Sequence, residues 1–94
     1  MKQIKDLLNN LKRRTELKED LKKCSDDIRN SKRVIDSINN ELDLIREGKL
    51  NGMSREEREA YIGTLLQKKI KEEQLIVVAA LRMIDIENAL KGLF

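Results

Sequence analysis

The stretch Gly48-Lys49-Leu50-Asn51-Gly52-Met53-Ser54 is the only place in this 94-residue chain where helix-breaking residues cluster. The chain contains no proline, and the sequence on both sides of this stretch has helical periodicity. Gly48 suits the left-handed conformation that ends a helix, because glycine has no Cβ atom. Ser54 and Glu57 have the spacing of a capping box, which begins a helix. The sequence therefore predicts two long helices, over about 2–47 and about 54–91, joined by a turn over 48–54.

The segment before the turn carries an apolar row with the alternating three- and four-residue steps of a coiled coil. From Leu17 to Ile45 one position of this row, Ser31, is not apolar. Between Leu11 and Leu17 the phase shifts by three residues, which predicts that the first ten residues bend away or form a separate short helix. The row consists of Leu17, Leu21, Cys24, Ile28, Ser31, Ile35, Ile38, Leu42 and Ile45.

The segment after the turn has a less regular row and a stretch that is apolar on nearly every side. This stretch runs from Leu75 to Ile86, and such a pattern is typical of a helix that is covered on more than one side. Gly63 lies inside the predicted helix and either permits close approach near Glu41 or has no structural role. The predicted row is Ile62, Leu65 or Leu66, Lys69 or Ile70, Glu73, Val77, Ala80, Ile84 and Glu87.

Folding the chain at Asn51 and Gly52 places residues level with each other when their numbers sum to about 104. The apolar stretch 75–86 then lies opposite the polar stretch 12–30, whose single row is too thin to cover it.

We therefore expect an all-α, single-domain protein, a long antiparallel helical hairpin of the coiled-coil type over residues 1–94. We expect it to form a homodimer, a four-helix arrangement with the second helices inside. The predicted oligomer or partner interface comprises Leu75, Ile76, Val78, Ala79, Leu81, Met83 and Ile86. At the far end, the same alignment predicts that Leu90, Leu93 and Phe94 pack on Leu7, Leu8 and Leu11.

The composition argues against catalysis and against a metal or cofactor site. The chain has no histidine and one cysteine, so the usual zinc ligands and an intrachain disulfide are both missing. Cys24 lies in the apolar row, where packing explains it better than nucleophilic chemistry does. Charged residues make up 39% of the chain and aromatic residues 2%, a balance typical of coiled coils. We expect no enzyme activity, no catalytic residue, no cofactor and no metal.

The predicted compartment is the cytoplasm. The longest uncharged apolar run, residues 75–81, is far shorter than the roughly 20 residues that cross a bilayer. The amino terminus lacks the apolar region of a secretory signal. We therefore expect no membrane association.

Binding of nucleic acid is the alternative function. The hairpin alignment brings basic residues of the two helices near each other, and such a patch could neutralise phosphates. The formal net charge is only +3, acidic residues are interleaved with the basic ones, and the two aromatic residues offer no stacking platform. The candidate nucleic-acid patch comprises Arg29, Lys32, Arg33, Lys68, Lys69 and Lys71.

Near the carboxyl end, the sequence from Lys68 to Gln74 and on through Ile84 to Leu90 resembles the helical stretch of ArpU-type phage late-transcription regulators. The resemblance covers about a quarter of the chain. In that family a long helical hairpin precedes a sigma-like DNA-binding region. The resemblance implies an oligomerising hairpin without the DNA reader, which acts as a phage or prophage regulator or as an inhibitor of a host protein. It implies no DNA-contact residue.

Together, these patterns favour a non-enzymatic protein that works by protein–protein contact. Self-association is the first expectation, and a host or phage protein is the second. Besides the interface on the second helix, the candidate contact residues are Ile4, Leu7 and Leu8 near the amino terminus, with Leu50 and Met53 in the turn.

Overall fold

Two long helices packed side by side form the whole of the described structure. A computed structural model describes residues 2–49 and 52–93, apart from the side chain of Lys2. Helix α1 spans Lys2–Arg46 and helix α2 spans Arg55–Gly92. They lie antiparallel in a rod 74 Å long and about 15 Å wide. The predicted all-α antiparallel hairpin is therefore confirmed.

The end of α1 is fixed by backbone hydrogen bonds around Gly48. The N–H of Lys49 donates to the carbonyl of Leu44 at 3.0 Å, and the N–H of Gly48 donates to the carbonyl of Ile45 at 3.1 Å. These two bonds form a Schellman motif, which needs a left-handed residue just past the helix. Gly48 supplies it with a φ of 72°. The predicted role of Gly48 is confirmed.

The start of α2 is fixed by Ser54. Its backbone is extended, and its hydroxyl accepts a hydrogen bond from the N–H of Glu57 at 3.1 Å. Glu56 and Glu57 lie in the first turn, where their negative charge suits the positive end of the helix dipole. The predicted hydrogen bond from the Glu57 N–H to the Ser54 hydroxyl is therefore present.

The row of α1 that contacts α2 matches the sequence pattern from Leu17 to Ile45, where every predicted position is buried or half-buried. The predicted bend or separate helix in the first ten residues was wrong, since α1 is continuous from Lys2. Arg14 provides the physical reason. It is half-buried in the row between Asn10 and Leu17, because an arginine can lay its aliphatic stem along apolar surface. The heptad phase thus continues without a shift.

The row of α2 that contacts α1 differs from the predicted one beyond Leu66. The structure buries a row one residue earlier in the sequence, and the predicted Glu73, Val77, Ile84 and Glu87 are exposed. Both rows have coiled-coil steps, but only the earlier one stays apolar to the end of the helix, through Leu90 and Leu93. Burying that row removes more apolar surface from water. The observed row is Ile62, Leu65, Lys69, Glu72, Ile76, Ala79, Met83, Ile86, Leu90 and Leu93.

The core consists of two separate clusters. The first contains Leu17, Cys24 and Ile86, and the second, near the turn, contains Ile38, Ile45 and Leu65. Between them polar side chains enter the contact: Ser31 is buried, and Lys69 and Glu72 are half-buried. The apolar residues at this level, Ile28, Ile35 and Ile76, are only half-buried. Paired residue numbers such as 17 with 86 and 38 with 65 sum to about 103, close to the predicted alignment.

Candidate interaction surface

The side of α2 that faces away from α1 exposes many large apolar side chains. Seven large aliphatic side chains on it are 43–63% exposed, and we call this set the α2 outer surface. It is broad because the exposed row and the buried row of α2 run one residue apart, so residues 75–86 are apolar on nearly every side. Its members are Leu66, Ile70, Leu75, Val77, Val78, Leu81 and Ile84.

The predicted interface divides into two groups. Leu75, Val78 and Leu81 lie on the α2 outer surface. The other four predicted residues belong to the row that packs on α1. Ile86 is only 6% exposed and lies in one cluster with Leu17 and Cys24. The hairpin uses these four side chains internally: Ile76, Ala79, Met83 and Ile86.

Sequence reasoning missed four members of the α2 outer surface, namely Leu66, Ile70, Val77 and Ile84. All four had been placed, alone or as one of two options, in the row predicted to pack on α1. The signal that could have identified them is the polar end of that row at Glu87 and Lys91, against the apolar end of the other row at Leu90 and Leu93.

A groove runs along one side of the hairpin, next to the α2 outer surface. Its volume is about 410 Å³, with Leu75 and Val78 on one wall and Asp20 and Asp27 on the other. Its base is formed by the small side chains Cys24, Ser31 and Ala79, which leave space between the helices. The groove therefore presents apolar side chains and carboxylates side by side.

The amino-terminal turns of α1 form a smaller exposed apolar patch. Ile4, Leu7 and Leu8 are 60–64% exposed. Leu93 shares a shallow depression with Leu7 and Leu11, but it does not cover them. The predicted placement of Leu93 beside Leu7 and Leu11 is confirmed, but Leu7, Leu8 and Leu11 stay more than half exposed. Phe94 lies outside the described residues. Of the two turn residues, Met53 is half-buried and Leu50 lies outside the described residues.

The candidate nucleic-acid patch is split between different sides of the rod. Lys68 and Lys71 precede the groove residues Leu75 and Val78 by one heptad, so they lie on the groove side. Lys32 precedes Arg46 by two heptads, and Arg46 lines the opposite side together with Leu66. Arg29, beside Asp26 at 3.8 Å, lies one turn before Lys32 and Arg33, so these three are neighbours on α1. Lys69 is half-buried between the helices. The fold therefore does not gather the six cations into one surface.

Cys24 is 5% exposed and packs in the first core cluster, so its predicted packing position is confirmed. Over residues 2–49 and 52–93, no three histidine, cysteine or carboxylate side chains are grouped so as to hold a metal ion. In the same ranges, neither helix has a stretch long and apolar enough to span a bilayer.

One interhelical hydrogen bond was not anticipated from the sequence. The hydroxyl of Tyr61 donates to Oε2 of Glu41 at 2.7 Å, near the turn end of the hairpin. This bond, with smaller contributions from partial burial and from the charge of Glu41, raises the pKa of Tyr61 above its ordinary value. The alignment of the two helices could have revealed this pair, because it places Tyr61 within one turn of Glu41.

No family model matches the chain, and no curated protein or solved structure shows significant similarity to it. The resemblance to ArpU-type regulators stays a prediction.

Proposed function

We propose that this protein is a non-enzymatic helical hairpin that acts through protein–protein contacts and forms a homodimer through the α2 outer surface. The supporting observation is the exposure of seven large aliphatic side chains on one helix. Such a set presents on the order of 600 Å² of apolar surface, the upper end of what monomers expose and near the ~800 Å² per partner of a standard interface.

The difference between the two helices supports an arrangement with α2 inside and α1 outside. Between Lys12 and Lys49, the large hydrophobic side chains that α1 leaves exposed are Val34 and Leu44. The rest of its outer face is charged or polar. Withdrawing each large side chain of the α2 outer surface from water contributes about 1.5–3 kcal/mol. A second copy seated on α2 would bury this surface and leave the polar helices in solvent.

The test is the oligomeric state of a variant with a charge in the middle of the α2 outer surface. Leu81→Asp puts a carboxylate on the side of α2 that lies farthest from α1. A dimer would carry this carboxylate in both copies. Since every 1.4 kcal/mol is a factor of ten, we expect the dimer dissociation constant to rise at least about a hundredfold. Light scattering and sedimentation over a range of concentrations measure it.

Asn40→Asp is the matched control, because it adds the same charge at an exposed, outermost position of α1. This variant should remain as dimeric as the wild type. A wild-type protein that stays a folded monomer at micromolar concentration would reject the proposed function. Equal effects of the two substitutions would reject the α2 outer surface as the interface.

A further inference from the structure

Two rows of residues on α2 are each symmetric about a central valine, and the two centres lie one residue apart. One row is Ile70, Val77 and Ile84, and the next is Lys71, Val78 and Asp85, each with seven-residue spacing. All six residues are exposed. In the first row an isoleucine lies on each side of a valine. In the second row a cation and an anion lie at equal distances on either side of a valine.

This symmetry distinguishes the two ways in which two copies of α2 can pair. In a parallel pair, identical residues lie level, so Lys71 meets Lys71 and Asp85 meets Asp85. In an antiparallel pair with its two-fold axis near Val78, each Lys71 lies level with an Asp85 of the other copy. In that pair each Ile70 also lies within two residues, about 3 Å along the helix, of the level of an Ile84. Antiparallel pairing therefore matches apolar groups and opposite charges together, which parallel pairing does not.

Lys71 and Asp85 are both free to form ion pairs with a second copy. Among the described residues, neither Lys71 nor Asp85 forms an ion pair within 4.0 Å. Asp85 lines a shallow depression with Arg13, Asp20 and Arg82, so cations and carboxylates are balanced there. An exposed carboxylate and an exposed ammonium at the edge of an apolar surface are typical of the polar rim of an interface.

The position of the axis also suits the shape of the rod. Because paired numbers sum to about 103, Lys2 lies level with a position about nine residues past the end of α2. The midpoint between that level and the turn falls near residue 76, about 3 Å from Val78 at 1.5 Å per residue. An antiparallel pair centred at Val77 and Val78 therefore overlaps the two rods along nearly their whole length.

We propose that the partner on the α2 outer surface is a second copy of this chain, bound with its α2 antiparallel and its two-fold axis at Val77 and Val78. This inference rests on the proposed self-association and adds its direction and register. The resulting dimer is an antiparallel four-helix bundle whose interface has two Lys71–Asp85 pairs at its rim and two Ile70–Ile84 contacts inside.

Disulfide cross-linking tests the direction. The variants are made in a Cys24→Ser background, so that the introduced cysteines are the only thiols in the chain. Val78→Cys lies on the proposed axis and should form a covalent dimer on mild oxidation. Lys71→Cys alone should not, because its two copies lie about 21 Å apart in the antiparallel pair, whereas a disulfide needs Cα atoms within about 7 Å. Lys71→Cys combined with Asp85→Cys should form the covalent dimer again.

The control for random collisions is Asn40→Cys on the outer face of α1, which should stay uncross-linked. Cross-linking of Lys71→Cys by itself would show a parallel pair and overturn the inference. A dimer by light scattering in which neither Val78→Cys nor the double variant cross-links would overturn the register while leaving self-association intact. A monomeric wild type would instead overturn the proposed function.

Charge exchange gives a second measurement that does not depend on oxidation. Lys71→Asp and Asp85→Lys each place like charges level with each other, and each should raise the dimer dissociation constant about three- to tenfold at low salt. The double exchange restores opposite charges in an antiparallel pair and should return the constant to near the wild-type value. Additive weakening in the double variant would contradict the proposed pairing.

Discussion

At the scale of single residues, Gly63 is a glycine in the middle of α2 that the packing of the hairpin does not require. The sequence allowed that it permits close approach near Glu41, but a Cβ atom built at Gly63 meets nothing within 4 Å. The close contact at this level is made by Tyr61 instead. Gly63 therefore has no packing role within the hairpin, and its helical backbone accepts other residues.

We predict that Gly63→Ala stabilises the protein. Alanine loses less backbone entropy than glycine on entering a helix, by up to about 1 kcal/mol, and it meets no obstacle here. The free energy of unfolding in urea measures the gain. Gly48→Ala is the control, since it has the same change of side chain at a φ of 72° and should destabilise. A loss of stability in Gly63→Ala would show that some group approaches this position closely.

At the scale of the elements, the hydrogen bond between Tyr61 and Glu41 ties α2 to α1 near the turn. We predict that the pKa of Tyr61 in the folded protein lies above its value in the unfolded chain. A raised pKa stabilises the fold fully below the ordinary value of 10.0, and this contribution is lost as pH rises through the folded pKa. Tyr61 is the only tyrosine and the chain has no tryptophan, so tyrosinate absorbance reports this titration directly.

The control for this titration is Glu41→Gln, which removes the negative charge and weakens the acceptor. Its tyrosine should titrate at lower pH than the wild type. The same shift should appear when the wild type is titrated in denaturant. A tyrosine pKa that is identical in wild type and variant would contradict the described hydrogen bond.

The elements also show why sequence reasoning succeeded for one helix and not for the other. In α1 a single apolar row is bordered by charge, so each buried position from Leu17 to Ile45 followed from spacing alone. In α2 two rows one residue apart both satisfy the coiled-coil pattern, and spacing cannot rank them. The choice depends on which row α1 covers over its full length. Residues 75–86 were therefore identified correctly as apolar on nearly every side, while four of the seven predicted interface residues pack on α1 instead.

At the scale of the whole molecule, the hairpin has little interior. Among the described residues, six apolar side chains are buried, in two separate clusters. A core of this size contributes only a few kcal/mol to the stability of a chain this short. The seven side chains of the α2 outer surface are at least as numerous as those of the core. A large share of the apolar surface of α2 therefore stays exposed in the single hairpin.

We predict from this balance that thermal stability depends on protein concentration. If the dimer supplies much of the burial, unfolding is coupled to dissociation, and the melting temperature rises with concentration by mass action. Circular dichroism at increasing concentrations measures this dependence, which Asn40→Asp should retain. Leu81→Asp should melt at a lower temperature that no longer varies with concentration, because the remaining fold is the isolated hairpin. A wild-type melting temperature that is constant over a wide concentration range would mean that the two thin clusters alone stabilise the rod.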